Sequence, residues 1–191
     1  MMNTARRLAI PLILFLLTSI SRAGKPDLFY FSPFLGTLEF KERTDYPEKD
    51  LGYSLRYEND RLLKADIYVY NMGQQDLKDG INSPEVKAEM ASVGEVLHKM
   101  EKMGKYEGVE LLQEGIKESH PSGLKFLWSR YRLRQIGGAE VVYLGKRISD
   151  TFLMVHKGKF IKIRITTKES DLTENDKEIE RFVNQVGSCL K

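Results

Sequence analysis

The sequence predicts an α+β domain: a mostly antiparallel sheet flanked by two main helices, in an α/β/α sandwich order. Three observations predict it. Period-two alternation marks two strands before residue 71, apolar stripes at helical spacing begin at Pro84 and near Asp171, and strand-like runs divided by short turns fill the interval. Strands and helices that alternate in blocks rather than singly favour an antiparallel sheet with segregated helices.

The chain opens with an export signal over residues 1–23. Arg6 and Arg7 precede an apolar run beginning at Leu8, and Ser21 and Ala23 occupy the third and first positions before a predicted cleavage ahead of Gly24. A signal needs an apolar core of about 7–15 residues, whereas a membrane-spanning helix needs about 20. Pro11, Thr18 and Ser19 interrupt this one, so cleavage is expected and no transmembrane anchor remains after it. Residues 24–34, rich in aromatics and carrying Pro26 and Pro33, read as a lead-in packed on the domain rather than a central strand. Residues 35–191 form a single domain.

Within it, Leu51, Tyr53, Leu55 and Tyr57 alternate with Ser54 and Arg56, and after a turn at Glu58-Asn59-Asp60, Ala65, Ile67 and Val69 alternate with Asp66, Tyr68 and Tyr70. The pair reads as a hairpin. A polar loop over 71–82 ends at Ser83-Pro84-Glu85, where serine suits the N-cap and proline the first helical position. Val86, Met90, Val93, Leu97 and Met100 then fall on one stripe, and the region 104–108 closes the helix. Strand-like runs follow at 109–119, 124–134, 139–146, 151–156 and 160–167, separated by Pro121-Ser122-Gly123, Gly137-Gly138 and Lys157-Gly158-Lys159. A last helix starts near Asp171, with Ile179, Phe182, Val183, Val186 and Leu190 as its apolar stripe.

The runs Gly52-Tyr53-Ser54-Leu55-Arg56-Tyr57, Ala65-Asp66-Ile67-Tyr68-Val69-Tyr70-Asn71 and Gly80-Ile81-Asn82-Ser83-Pro84-Glu85-Val86 resemble those of uncharacterised exported bacterial proteins. The element order resembles the PsbP-type (PsbP/Mog-like) fold over about residues 35–190. The resemblance implies a fold; no residue matches a functional motif of that family, and no site or partner is carried over.

Charge excludes one class of function. Losing residues 1–23 removes Arg6, Arg7 and Arg22 and no acid, so Lys+Arg falls from 30 to 27 and equals Asp+Glu at 27. A neutral exported domain has no whole-molecule pull on nucleic acid, and nucleic acid is disfavoured as a partner. Its one cysteine, Cys189, cannot form an internal disulfide and is expected to pack on the face shared by Phe182 and Val186.

No catalytic, cofactor-binding or metal-binding residue is assigned. His98, His120 and His156 lie outside any nucleophile setting, and solvated or locally bonded histidines are expected. Asp76 and Asp79 share a loop with Asn71 and Asn82, a composition that turn chemistry explains as readily as calcium. Glu110, Glu114 and Glu140 are candidates for the carboxylate pair of a hydrolase but are indistinguishable from solvent-facing sheet charges. Gly137-Gly138 precedes a strand-like run and lacks the Lys-Ser/Thr helix start of a phosphate loop.

Two surfaces remain. Trp128, Arg130, Arg132 and Arg134 share one face of a strand, and Lys162 and Arg164 oppose Ile161, Ile163 and Ile165 on another. With those strands close together, five cations and an indole would form one anion-binding surface; the alternative is a solvated face whose cations pair with glutamates. Tyr53, Tyr57, Tyr68 and Tyr70 make the hairpin a second contact surface or a packed one. The functional expectation is an exported cell-envelope binding or accessory protein without catalytic activity, recognising an envelope protein or an anionic envelope component. The alternative is an envelope hydrolase.

Overall fold

Residues 28–136 and 145–191 are described by the structure, a computed structural model. The export signal and residues 139–144 of the run expected over 139–146 lie outside the described residues. Eight strands, β1 (Phe34–Leu35), β2 (Leu38–Asp45), β3 (Tyr53–Glu58), β4 (Lys64–Tyr70), β5 (Tyr106–Glu118), β6 (Lys125–Gln135), β7 (Lys146–His156) and β8 (Lys159–Lys168), join two helices, α1 (Pro84–Lys102) and α2 (Leu172–Cys189). The strands form one sheet in the order β1-β2-β3-β4-β8-β7-β6-β5, with every neighbour antiparallel.

Alternation decides the two faces. Leu55, Tyr57, Ala65, Ile67, Val69, Ile161, Ile163 and Ile165 turn to one side, where Ile179, Phe182, Val183 and Val186 of α2 complete the main core. Burying each of these large aliphatic side chains contributes about 1.5–3 kcal/mol. On the opposite parity, Tyr70, Leu153, Val155 and Phe160 pack with Val86 of α1 in a second, smaller core. The α2 stripe falls where its spacing places it, and Cys189 is half-buried against the main core.

The lead-in also packs. Phe29 and Phe31 are buried, and the Tyr57 hydroxyl donates to the Ser32 carbonyl. Ser83 caps α1 by accepting from the Val86 N–H, with Pro84 in its first turn. The buried side of α1 is broader than its apolar stripe, because Glu89 and Gly94 are buried with Val86 and Leu97. Gly94 is small where the helix crosses β6: a Cβ there would stand 2.5 Å from the Tyr131 hydroxyl. Gly52 is needed for two reasons, since its φ is 62° and a Cβ would meet the Val69 carbonyl oxygen at 1.9 Å.

Two sequence expectations are corrected, and one strand was not expected. β2 lies in a stretch to which the sequence assigned no element; most of its residues are exposed, and its pairing with β3 makes it a strand. β5 begins at Tyr106 rather than 109; Gly108, at φ 62°, sits within a bulge between Glu107 and Glu110. The break expected before residue 151 does not exist: β7 is continuous from Lys146 to His156. Ser149 and Asp150, which fall in the gap left between the runs 139–146 and 151–156, are both buried in the sheet.

Candidate functional site

The basic ladder divides. Across the sheet, Trp128 lies beside Phe152 and Ile163, Arg130 beside Asp150 and Ile165, and Arg132 beside Ile148 and Thr167, so these side chains share the α2 side. Lys162 lies beside Leu153 and Leu127, and Arg164 beside Thr151 and Ser129, on the α1 side. The strands are as near as expected, but their register puts the two halves on opposite faces. The single surface of five cations and an indole is therefore not formed.

On the α2 side each arginine is engaged by acids. Arg130 donates from Nε and Nη2 to Asp150 at 2.8 and 3.0 Å, and from Nη2 to Asp176 of α2 at 2.7 Å. The Trp128 indole N–H also donates to Asp150 at 2.8 Å. Asp150 is fully buried, and burial pushes its carboxyl up against the opposing pull of Arg130 and Trp128. Arg132 binds Glu169 at 2.6 Å and Glu110 at 2.7 Å, and Arg134 binds Glu107 at 3.3 Å. Lys117 lies over the Trp128 ring at 4.3 Å. The row docks α2 and its preceding turn on the sheet, which is the neutralised-face reading of the sequence.

The α1 side holds a different constellation. Glu89, projecting from α1 and buried, accepts from the Tyr70 hydroxyl at 2.5 Å and from Lys162 Nζ at 2.9 Å. Lys162 also lies 5.0 Å from the Tyr70 ring centre and 5.7 Å from that of Tyr68. Burial first, then the Glu89 carboxylate, raises the Tyr70 phenol well above its ordinary value, so it stays a donor. Burial likewise raises Tyr68. A cavity of about 600 Å³ opens beside this group, lined by Met72, Pro84, Ala88, Glu89 and Phe160.

From there a row of alternating charge crosses four strands in register: Glu42, Arg56, Asp66 and Arg164. Arg56 stands 3.0 Å from Asp66 and 4.0 Å from Glu42, and Arg164 reaches across the sheet to the Tyr106 hydroxyl at 3.4 Å. Ser54, Tyr68 and Lys162 form the adjacent row, with the Tyr46 hydroxyl 3.1 Å from Ser54 Oγ. α1 lies over β5 and β7. Among the described residues, no helix covers the α1 side of β2 and β3, where Arg56 is exposed and Ser54 half-buried. Sequence alternation placed Asp66, Tyr68, Lys162 and Arg164 correctly within their own strands. It missed Glu89, whose position four residues before Val93 offered no signal beyond its place at the margin of the stripe.

The tyrosine hairpin divides in the same way: Tyr53 and Tyr57 face α2, and Tyr68 and Tyr70 face α1. His98 is exposed beside Glu101, the His120 N–H donates to Asn184, and half-buried His156 directs Nε2 to the Leu190 carbonyl at 2.7 Å. Asp79 turns to the Gly158 N–H and toward His156, while Asn71 bonds the Gln74 carbonyl. Among the described residues no three His, Cys, Asp or Glu side chains converge as metal ligands. Glu110 is held by Arg132, Glu114 is exposed, and Glu140 lies outside the described residues. The two buried acids among the described residues, Glu89 and Asp150, sit on opposite sides of the sheet, each with its own cation.

No family model matches the chain, and no curated protein does. Among solved structures it is similar to the solution structure of cyanobacterial PsbP (CyanoP) from Synechocystis sp. PCC 6803, at 13% identity and a TM-score of 0.47, over 88% of this chain and 96% of that one. The likeness is one of fold alone. No helix among the described residues is long and apolar enough to cross a membrane.

Proposed function

We propose that the chain is an exported, non-catalytic binding or accessory protein of the cell envelope, built as an α/β/α sandwich, whose contact surface is the α1 side of β2 and β3, bordered by the ends of the row on β4 and β8. The observation that carries this reading is the row Glu42, Arg56, Asp66 and Arg164, alternating in sign across four adjacent strands beside Tyr68 and Lys162. A mixed-sign, tyrosine-bearing face suits another protein better than a polyanion, because complementary charges fix register and tyrosines supply apolar area with a polar tip. The row that could have favoured an anionic component, Arg130 to Arg134, is neutralised by five acids.

A photo-crosslinking residue at Ser54 tests this against one at Lys177 on the exposed side of α2. Envelope protein joined specifically through position 54 is the expected result. Equal yields from both positions refute the surface, and an intact N-terminus on exported protein refutes cleavage before Gly24.

A further inference from the structure

The two edges of the sheet are unequal. One is the two-residue β1; the other is β5, 13 residues long and, among the described residues, paired only with β6. An open edge presents unpaired N–H and C=O groups and is commonly blunted by bulges. β5 has two, between Glu107 and Glu110 and between Leu111 and Gln113. Beyond them, residues 113–118 run in unbroken register from Gln113 opposite Arg130 to Glu118 opposite Lys125, and all six are exposed. Alternate residues of such a stretch turn their backbone groups away from β6.

The side chains of this open stretch have a pattern. Glu114, Ile116 and Glu118 face the α1 side, beside Ser129, Leu127 and Lys125; Gln113, Gly115 and Lys117 face the other. Ile116 is 59% exposed between the two carboxylates. We propose that this edge accepts one added strand from an extended peptide whose α1-side residues read cation, β-branched apolar, cation. Directly opposed pairs of opposite charge and of β-branched side chains are the units that stabilise neighbouring strands, and each position of the added strand meets its complement here. Glu114, lying opposite a serine, offers the stronger contact, since Lys125 shares the field of Glu118.

Charge disfavours a second copy of the chain as occupant. Antiparallel self-pairing centred on Ile116 sets Glu114 against Glu118 at two places, and centring it on Gly115 leaves Ile116 against Glu114. This edge is separate from the β2–β3 face, so either surface can fail without the other.

The probe is a synthetic peptide, Thr-Arg-Thr-Ile-Thr-Arg-Thr, with a control carrying Glu for Arg, titrated into the full chain while backbone amide protection is followed by NMR. The basic peptide is expected to protect amides of residues 113–118. Its affinity should fall about tenfold in the exposed double variant Glu114→Lys/Glu118→Lys, which should prefer the acidic control. Unchanged affinity in that variant, protection confined to other strands, or no saturable binding overturns the proposal. Protection of 113–118 that rises with protein concentration in the absence of peptide identifies a second copy as the occupant, and also overturns it.

Discussion

Replacing Asp150 with Asn tests whether the arginine row is structural. Asp150 is fully buried and accepts three hydrogen bonds, one from Trp128 and two from Arg130, whose side chain is only 12% exposed. Asn retains the shape and one acceptor but leaves the guanidinium facing a neutral amide whose NH₂ group it cannot use. Removing one member of a buried pair costs about 3–5 kcal/mol. The lower end applies, for two reasons. Arg130 keeps Asp176 at 2.7 Å, and burial, which raises the Asp150 carboxyl, already offsets part of the pair's attraction. A loss of about 3 kcal/mol lowers Tm by about 6–12 °C for a chain of this size.

Thermal and urea melts at neutral pH measure the effect, and Asp176→Asn is the internal control. Asp176 is 50% exposed, and its removal should cost no more than about 1 kcal/mol. The reasoning fails if D150N melts with the wild type, or if D176N costs as much as D150N. The first result would mean that α2 is held by its apolar stripe alone and that Arg130 is free for another task; the second, that Asp176 of α2 rather than buried Asp150 is the main anchor of Arg130.

Other consequences follow from the same packing. Glu89→Gln should cost about 2 kcal/mol by weakening the charged acceptor of Tyr70 and Lys162, with amide exchange rising first in α1; unchanged protection there would show that Val86 and Leu97 suffice to dock the helix. Gly187→Ala should cost about 1–3 kcal/mol, because its Cβ would stand 2.1 Å from Ser119 Oγ and 2.8 Å from Ser119 Cβ; a chemical melt equal to wild type would refute the close approach. The backbone N–H of Val109, and then His98, hold the Glu101 carboxyl below its ordinary 4.5. A depressed folded value means that this contribution is present above the unfolded pKa and lost as pH falls through the folded one. Glu101→Gln should therefore flatten the stability profile on the acid side of pH 4.5, and an unaltered acid limb would count against the bond.

Legibility of the fold varied with the kind of signal each segment carries. The α2 stripe, the Ser83–Pro84 helix start and the β3–β4 hairpin were readable because periodicity and capping are local properties of a few consecutive side chains. β2 was not, since its exposed residues lack alternation and only β3 tells it from a loop. The gap left at residues 147–150 failed for a related reason, since Asp150 lies inside β7. A carboxylate inside a strand becomes acceptable only when Arg130 and Trp128 from the neighbouring strand satisfy it.

The sequence by itself determined which residues share a face within each strand and helix, because side-chain direction follows from backbone period alone. It placed Trp128 with Arg130 and Arg132, and Lys162 with Arg164, and both groupings hold. Only the tertiary structure decided how those faces combine. A one-residue change of register between strands exchanges the two sides of a sheet, and nothing within either strand encodes it. Register is what sent Lys162 to Glu89 and Arg164 to Tyr106 on the α1 side, and it left Arg130 and Arg132 as the ion-paired mounting of α2 on the other.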